Sequence, residues 1–182
     1  DLVAEAVKRA KDIISEKNSN IPDEEKDKIA KIIGLGAIKY SDLAQNRVSI
    51  LDFSWDKMLS FEGHTAPYLQ YTYARIQSVF RKGELKEGFS NITFFEPIER
   101  TIGITLSLFP SILIKAIEVY KPNLLADYLF DLAQKFNTFY NSLPILKGDE
   151  KVVASRLELC KKTSYIIRTS LDLLGIDVVD RM

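Results

Sequence analysis

Apolar residues recur at helical spacing along most of this chain. Leu2, Val3, Ala6, Val7, Ala10, Ile13 and Ile14 fall on one face of a helix over residues 2–16. A polar break follows from Ser15 to Asn20. Then Ile21-Pro22-Asp23-Glu24-Glu25 opens a second helix, with proline near its start and acids in its first turn. That helix carries Ile29, Ile32 and Ile33 into Gly34-Leu35-Gly36 and on to Ala37, Ile38 and Tyr40. A strand is expected only at Val48, Ile50 and Leu51 through Phe53, short and at an edge. Trp55 to Phe61 reads as a brief helical turn and Glu62 to Thr65 as a loop.

From Pro67 the pattern is helical again. One helix runs to about Lys82, and Gly83 to Phe95 is a polar loop. Four more are expected near 97–109, 111–121, 124–143 and 150–174, separated by Pro110, Pro122 and Pro144. Gly175 stands where a left-handed cap is expected. The apolar spacing of the third of these four is continuous through Leu125, Tyr128, Leu129, Leu132, Phe136, Phe139, Tyr140 and Leu143. The last presents Val153, Leu157, Cys160, Ser164, Ile167, Leu171 and Leu174. The expected fold is all-α: an antiparallel helical bundle preceded by a small helical layer.

Composition narrows the chemistry. With 46% hydrophobic and 27% charged residues among 182, the chain has the balance of an ordinary globular protein. It contains no run of eighteen uncharged apolar residues, so no membrane span is expected. Its one cysteine, Cys160, excludes an internal disulfide and fits a reducing, cytoplasmic setting. One histidine and one cysteine leave no zinc site of the usual nitrogen and sulfur kind. The chain opens at Asp1-Leu2-Val3, already inside an apolar pattern, which reads as a piece of a longer protein.

No catalytic constellation emerges. A nucleophile needs a base beside it, and the one histidine, His64, lies in a loop where a hinge or hydrogen-bonding role is the ordinary one. The acids at Asp23 to Glu25 and at Asp149-Glu150 sit at helix starts, where the macrodipole explains them. Gly34-Leu35-Gly36 follows no strand and lacks a third glycine and a P-loop lysine. It reads as close helix packing.

The charges balance, 25 Lys+Arg against 25 Asp+Glu, so any nucleic-acid binding must be local. From Thr65 to Gly83, Arg75, Arg81 and Lys82 occur without a single acid. At about 100° per residue, Leu69, Tyr73, Ile76 and Phe80 share one arc of that helix, its core face. Tyr68, Tyr71 and Arg75 share a second arc of about 60°, well away from the first. Two tyrosines and an arginine off the core face can stack on unpaired bases and meet phosphate. They can equally pack against another bundle helix with their hydroxyls at the surface, and spacing alone favours that second reading.

The run Asp52-Phe53-Ser54-Trp55-Asp56-Lys57-Met58-Leu59-Ser60-Phe61-Glu62-Gly63-His64-Thr65-Ala66-Pro67-Tyr68-Leu69-Gln70-Tyr71 resembles the signature joining catalytic and anticodon-binding domains in arginyl-tRNA synthetases. GLGAIKYSDLAQNR at 34–47, YLFDLAQKFNTFY at 128–140 and LGIDVVDRM at 174–182 are similar to the same family, in the family's order. His64 departs from it, because the family commonly has asparagine there. The resemblance implies that residues 1–62 are the closing helices of a class I catalytic domain with its connector, and 63–182 a helical anticodon-binding domain. It implies no catalytic residue and no cofactor in these 182 residues; ATP with magnesium would act elsewhere in the parent chain, since the HIGH-like and KMSKS-like signatures are absent here.

The partners implied are arginine tRNA and the rest of the parent chain, with no membrane. The family's anticodon contacts match Tyr68, Tyr71, Arg75, Tyr140 and Met182. Every arginine anticodon has C at its centre, so a pocket for one cytosine serves all of these tRNAs. Ile176, Val178 and Val179 are apolar enough to pin the tail against the bundle and hold Arg181 and Met182 at that pocket. A carboxylate at Met182 would be an acceptor suited to the cytosine amine. A helical protein–protein module, or the matching appendage of another synthetase, is the alternative.

Overall fold

The computed structural model describes residues 1–17, 21–48, 53–83 and 91–182, and among these all regular structure is helical. The helices are α1 (Leu2–Lys17), α2 (Asp23–Leu43), α3 (Trp55–Met58), α4 (Ala66–Lys82), α5 (Pro97–Ser107), α6 (Phe109–Glu118), α7 (Asn123–Ser142) and α8 (Glu150–Leu173). The central residues of the expected strand, 49–52, lie outside the described residues. Of its ends, Val48 is in a turn and Phe53 has no regular structure. The break between α5 and α6 falls at Leu108 and not at Pro110. Proline fits the first turn of α6 because the amide it lacks would have no partner there.

Two apolar cores organise the chain. In the first, α1 lies on α2 and buries Ala10, Ile14, Ile29, Ile33 and Ala37, with Met58 and Leu59 closing one side. Gly34 is the contact point. A β-carbon there would stand 2.9 Å from the Ala6 carbonyl carbon and the Val7 nitrogen, so only glycine lets the backbones approach. The second core lies among α4, α5, α7 and α8. Leu69, Ile76, Ile102, Leu129, Leu132, Phe136, Phe139, Leu159, Ile167 and Leu171 are all buried there, each contributing about 1.5–3 kcal/mol by leaving water. Cys160 is inside it, and burial pushes its thiol well above the usual range, so it stays protonated.

Residues 97–118 are long and apolar enough by composition to cross a membrane, but they form two helices and carry Glu99, Arg100, Lys115 and Glu118. Glu99 is buried and fully engaged. One oxygen accepts from Arg156 Nε at 2.6 Å, and the other accepts the main-chain amides of Phe95 and Glu96 at 2.6 and 3.1 Å.

The tail after α8 joins the two cores. Gly175 takes φ +70°, its amide donates to the Asp172 carbonyl at 2.8 Å and the Ile176 amide to Leu171 at 2.8 Å, closing α8 with a Schellman turn. Ile176 then enters the bundle core and Val179 the first core, with Val178 partly buried against the bundle. Three donors hold the tail backbone: Lys39 Nζ to Gly175, Gln70 Nε2 to Asp177 at 2.8 Å, and Arg81 Nη1 to Asp180 at 2.9 Å.

Candidate nucleic-acid interface

The site starts at the loop before α4. Gly63 takes φ +82°, and Thr65 then caps the helix: its hydroxyl accepts the Tyr68 amide at 3.2 Å and donates to the Ser60 carbonyl at 2.6 Å. His64 is a clasp in this loop. Its ring meets Tyr40 and Phe130 edge-on, with Nε2 3.2 Å from the Ala126 carbonyl and 3.5 Å from Asp127. The loop is thereby fastened to α2 and α7, and α4 starts in a fixed orientation.

That orientation sends Leu69, Tyr73 and Ile76 into the core. Phe80 is only half-buried, while Val79 and Ala74 are buried instead. The second arc opens onto a cleft of about 530 Å³, lined by Ile14, Phe61, Glu62, Tyr68, Tyr71, Arg75, Asn137, Asn141 and Met182. Its size is that of a small-ligand site. The Arg75 guanidinium carbon lies 4.8 Å from the ring centre of Tyr71 and 4.8 Å from that of Tyr140. Both distances fall within cation–π range. Arg75 Nη1 donates to Asn137 Oδ1 at 2.5 Å and Nη2 to the Tyr71 hydroxyl at 3.3 Å.

All five residues expected from the sequence are therefore neighbours. Tyr68, Tyr71, Arg75 and Met182 line this cleft, and Tyr140 joins Tyr71, Arg75 and Met182 in an adjoining one of about 360 Å³. The second cleft adds Ser78, Arg81 and Arg181, and no Asp or Glu is among its lining residues. Met182 packs on the first core and not on the bundle core, against which the apolar tail residues are expected to pin it.

Asn137 was missed by the sequence reading, as were Phe61, Glu62, Asn141 and Ile14. For Asn137 a signal existed: it precedes Tyr140 by three residues on α7, hence on the same face. Ile14 had none, because only the docking of α1 brings it here. No group of three or more potential metal ligands occurs among the described residues.

The fold and the cleft define an all-helical module that carries tyrosines and an arginine at its surface. Comparison with known proteins gives the family. Residues 69–182 match the DALR anticodon binding domain and residues 1–55 the catalytic domain of class I tRNA synthetases (R). The chain belongs to the DALR anticodon-binding domain family. It is 48% identical over 186 residues to an arginine–tRNA ligase of Fusobacterium nucleatum and 46% identical over 182 residues to one of Chromobacterium violaceum. All of this chain is covered in both cases, but only 33% and 32% of those relatives, so the chain spans about a third of their length. Two solved structures resemble it along its whole length. They are the arginyl-tRNA synthetases of Thermus thermophilus (TM-score 0.92, 36% identity, 32% of that chain) and of Plasmodium falciparum (0.89, 30%, 33%).

Proposed function

We propose that this chain is part of an arginyl-tRNA synthetase and that its bundle grips the central anticodon nucleotide of arginine tRNA. One observation carries the reading: Arg75 is held between the Tyr71 and Tyr140 rings at the wall of an open cleft. Tyr71 is 38% exposed at the cleft, while Tyr68, Arg75 and Tyr140 are partly buried beside it. Aromatic faces stack on an extruded base, while the phenols, the guanidinium and the Asn141 amide meet its edge. Arg81 and Arg181 in the adjoining cleft suit the phosphates on either side of it.

Residues 1–62 are the closing helices of the catalytic domain, and 63–182 the anticodon-binding domain. The two family matches, which end at 55 and begin at 69, support that division. Arginine activation with ATP and magnesium then belongs to the parent chain, in the cytoplasm, and these 182 residues alone perform none of it. The experiment is a salt titration of binding to arginine tRNA and to a tRNA without C at the anticodon centre, together with ATP–pyrophosphate exchange. Salt-sensitive binding that prefers arginine tRNA is expected, with no exchange. Equal binding to both tRNAs, or none, overturns the reading.

A further inference from the structure

Asn137 makes one amide group serve three residues of the cleft. Its Nδ2 lies 2.9 Å from the Tyr68 hydroxyl and 3.0 Å from Thr72 Oγ1, and its Oδ1 faces Arg75 Nη1. The direction of every bond is settled by chemistry. A guanidinium only donates, so Arg75 must face the amide oxygen. Thr72 spends its proton on the Tyr68 main-chain carbonyl at 2.9 Å, so towards Asn137 it can only accept. Both N–H bonds of Asn137 are therefore given away, one to Thr72 and one to Tyr68.

We infer that Asn137 is a specificity-determining residue, which makes the Tyr68 hydroxyl a hydrogen-bond donor towards the bound base. The Tyr68 oxygen already accepts from Asn137, and its own proton is left for a ligand in the cleft. Tyr71 is set the same way, since its oxygen accepts from Arg75 Nη2. The cleft thus presents phenolic protons to a base edge. Cytosine offers acceptors at N3 and O2, whereas uracil presents an N–H at N3, so a fixed donor there discriminates between them. Asn137 acts through Tyr68 and need not touch the base. The inference rests on the anticodon reading above and adds the element that sets the polarity of the pocket.

The test is Asn137→Asp, which keeps the shape but replaces the donor with a carboxylate that takes the Tyr68 proton. Binding is measured to arginine tRNA transcripts with C or U at the anticodon centre. Added negative charge weakens both alike, so the ratio of the two affinities is the readout. The preference for C should fall about tenfold or more, within the range that a good base-edge contact contributes to discrimination. An unchanged ratio overturns the role of Asn137 while a wild-type preference for C leaves the anticodon reading standing. Absence of that preference in the wild type sinks both. If Asn137→Asp fails to fold by circular dichroism, Asn137→Leu serves instead: it frees the Tyr68 hydroxyl and should also lower the ratio, and an unchanged ratio there is equally decisive.

Discussion

Gln70 Nε2 lies 2.8 Å from the main-chain oxygen of Asp177, joining a fully buried side chain of α4 to a tail 107 residues further along. The same nitrogen is 3.4 Å from the Ile32 carbonyl on α2, so one amide clamps both cores and the tail. Gln70→Leu should leave the Asp177 carbonyl without its donor and destabilise the fold by about 1–3 kcal/mol. Amide exchange at Ile176, Val178 and Val179 should accelerate, and the position of Met182 in the cleft should loosen with it. Unchanged protection of those three amides would show that apolar burial alone pins the tail.

Gly34 offers a separate test of the first core. Gly34→Ala places a methyl group against the backbone of Ala6 and Val7, which cannot swing aside as a side-chain end would. A loss of about 1–3 kcal/mol is expected as α1 is pushed off α2. Gly36→Ala meets the ends of Gln70 and Ile176, at 2.8 and 3.1 Å, and should cost less. Thermal melts of the two variants give the order, and Gly36→Ala proving the more damaging would contradict this packing account.

Tyr140→Ala or Tyr71→Ala removes one wall of the Arg75 sandwich and one stacking face. Each should weaken binding to arginine tRNA by about 1–3 kcal/mol, with helix content unchanged. Arg75→Lys should also weaken it, because an ammonium cannot lie flat between two rings while donating to both Asn137 and Tyr71. Retention of full affinity by all three variants would remove these residues from the site.

Arg81 faces the adjoining cleft, which no Asp or Glu lines, and is steadied by the Asp180 carbonyl. Arg81→Ala should weaken binding to C-centred and U-centred transcripts equally and lower the salt slope by about one ion. A change in C-over-U preference with the salt slope unaltered would place Arg81 at a base instead of a phosphate.

Helical periodicity, proline positions and Gly175 made the helices and their ends legible from the chain alone, because these are local effects of backbone sterics and amphipathic spacing. Local spacing also separated Tyr68, Tyr71 and Arg75 from the core face of α4, and Leu69, Tyr73 and Ile76 are buried as that spacing requires. Spacing could not decide between a base platform and a helix contact, since both use the same arc; the proposal of a platform rests on the resemblance to the synthetases and on the open cleft. The break at Leu108 was misplaced at Pro110 because proline is as much at home in a first turn as after a last one. What the tertiary structure alone decided is the assembly of the site. Tyr140 and Asn137 from α7, Met182 from the tail and Ile14 from α1 converge on α4 through packing between residues distant in sequence, and the direction of the hydrogen bonds around Asn137 exists only once Arg75, Thr72 and Tyr68 surround it.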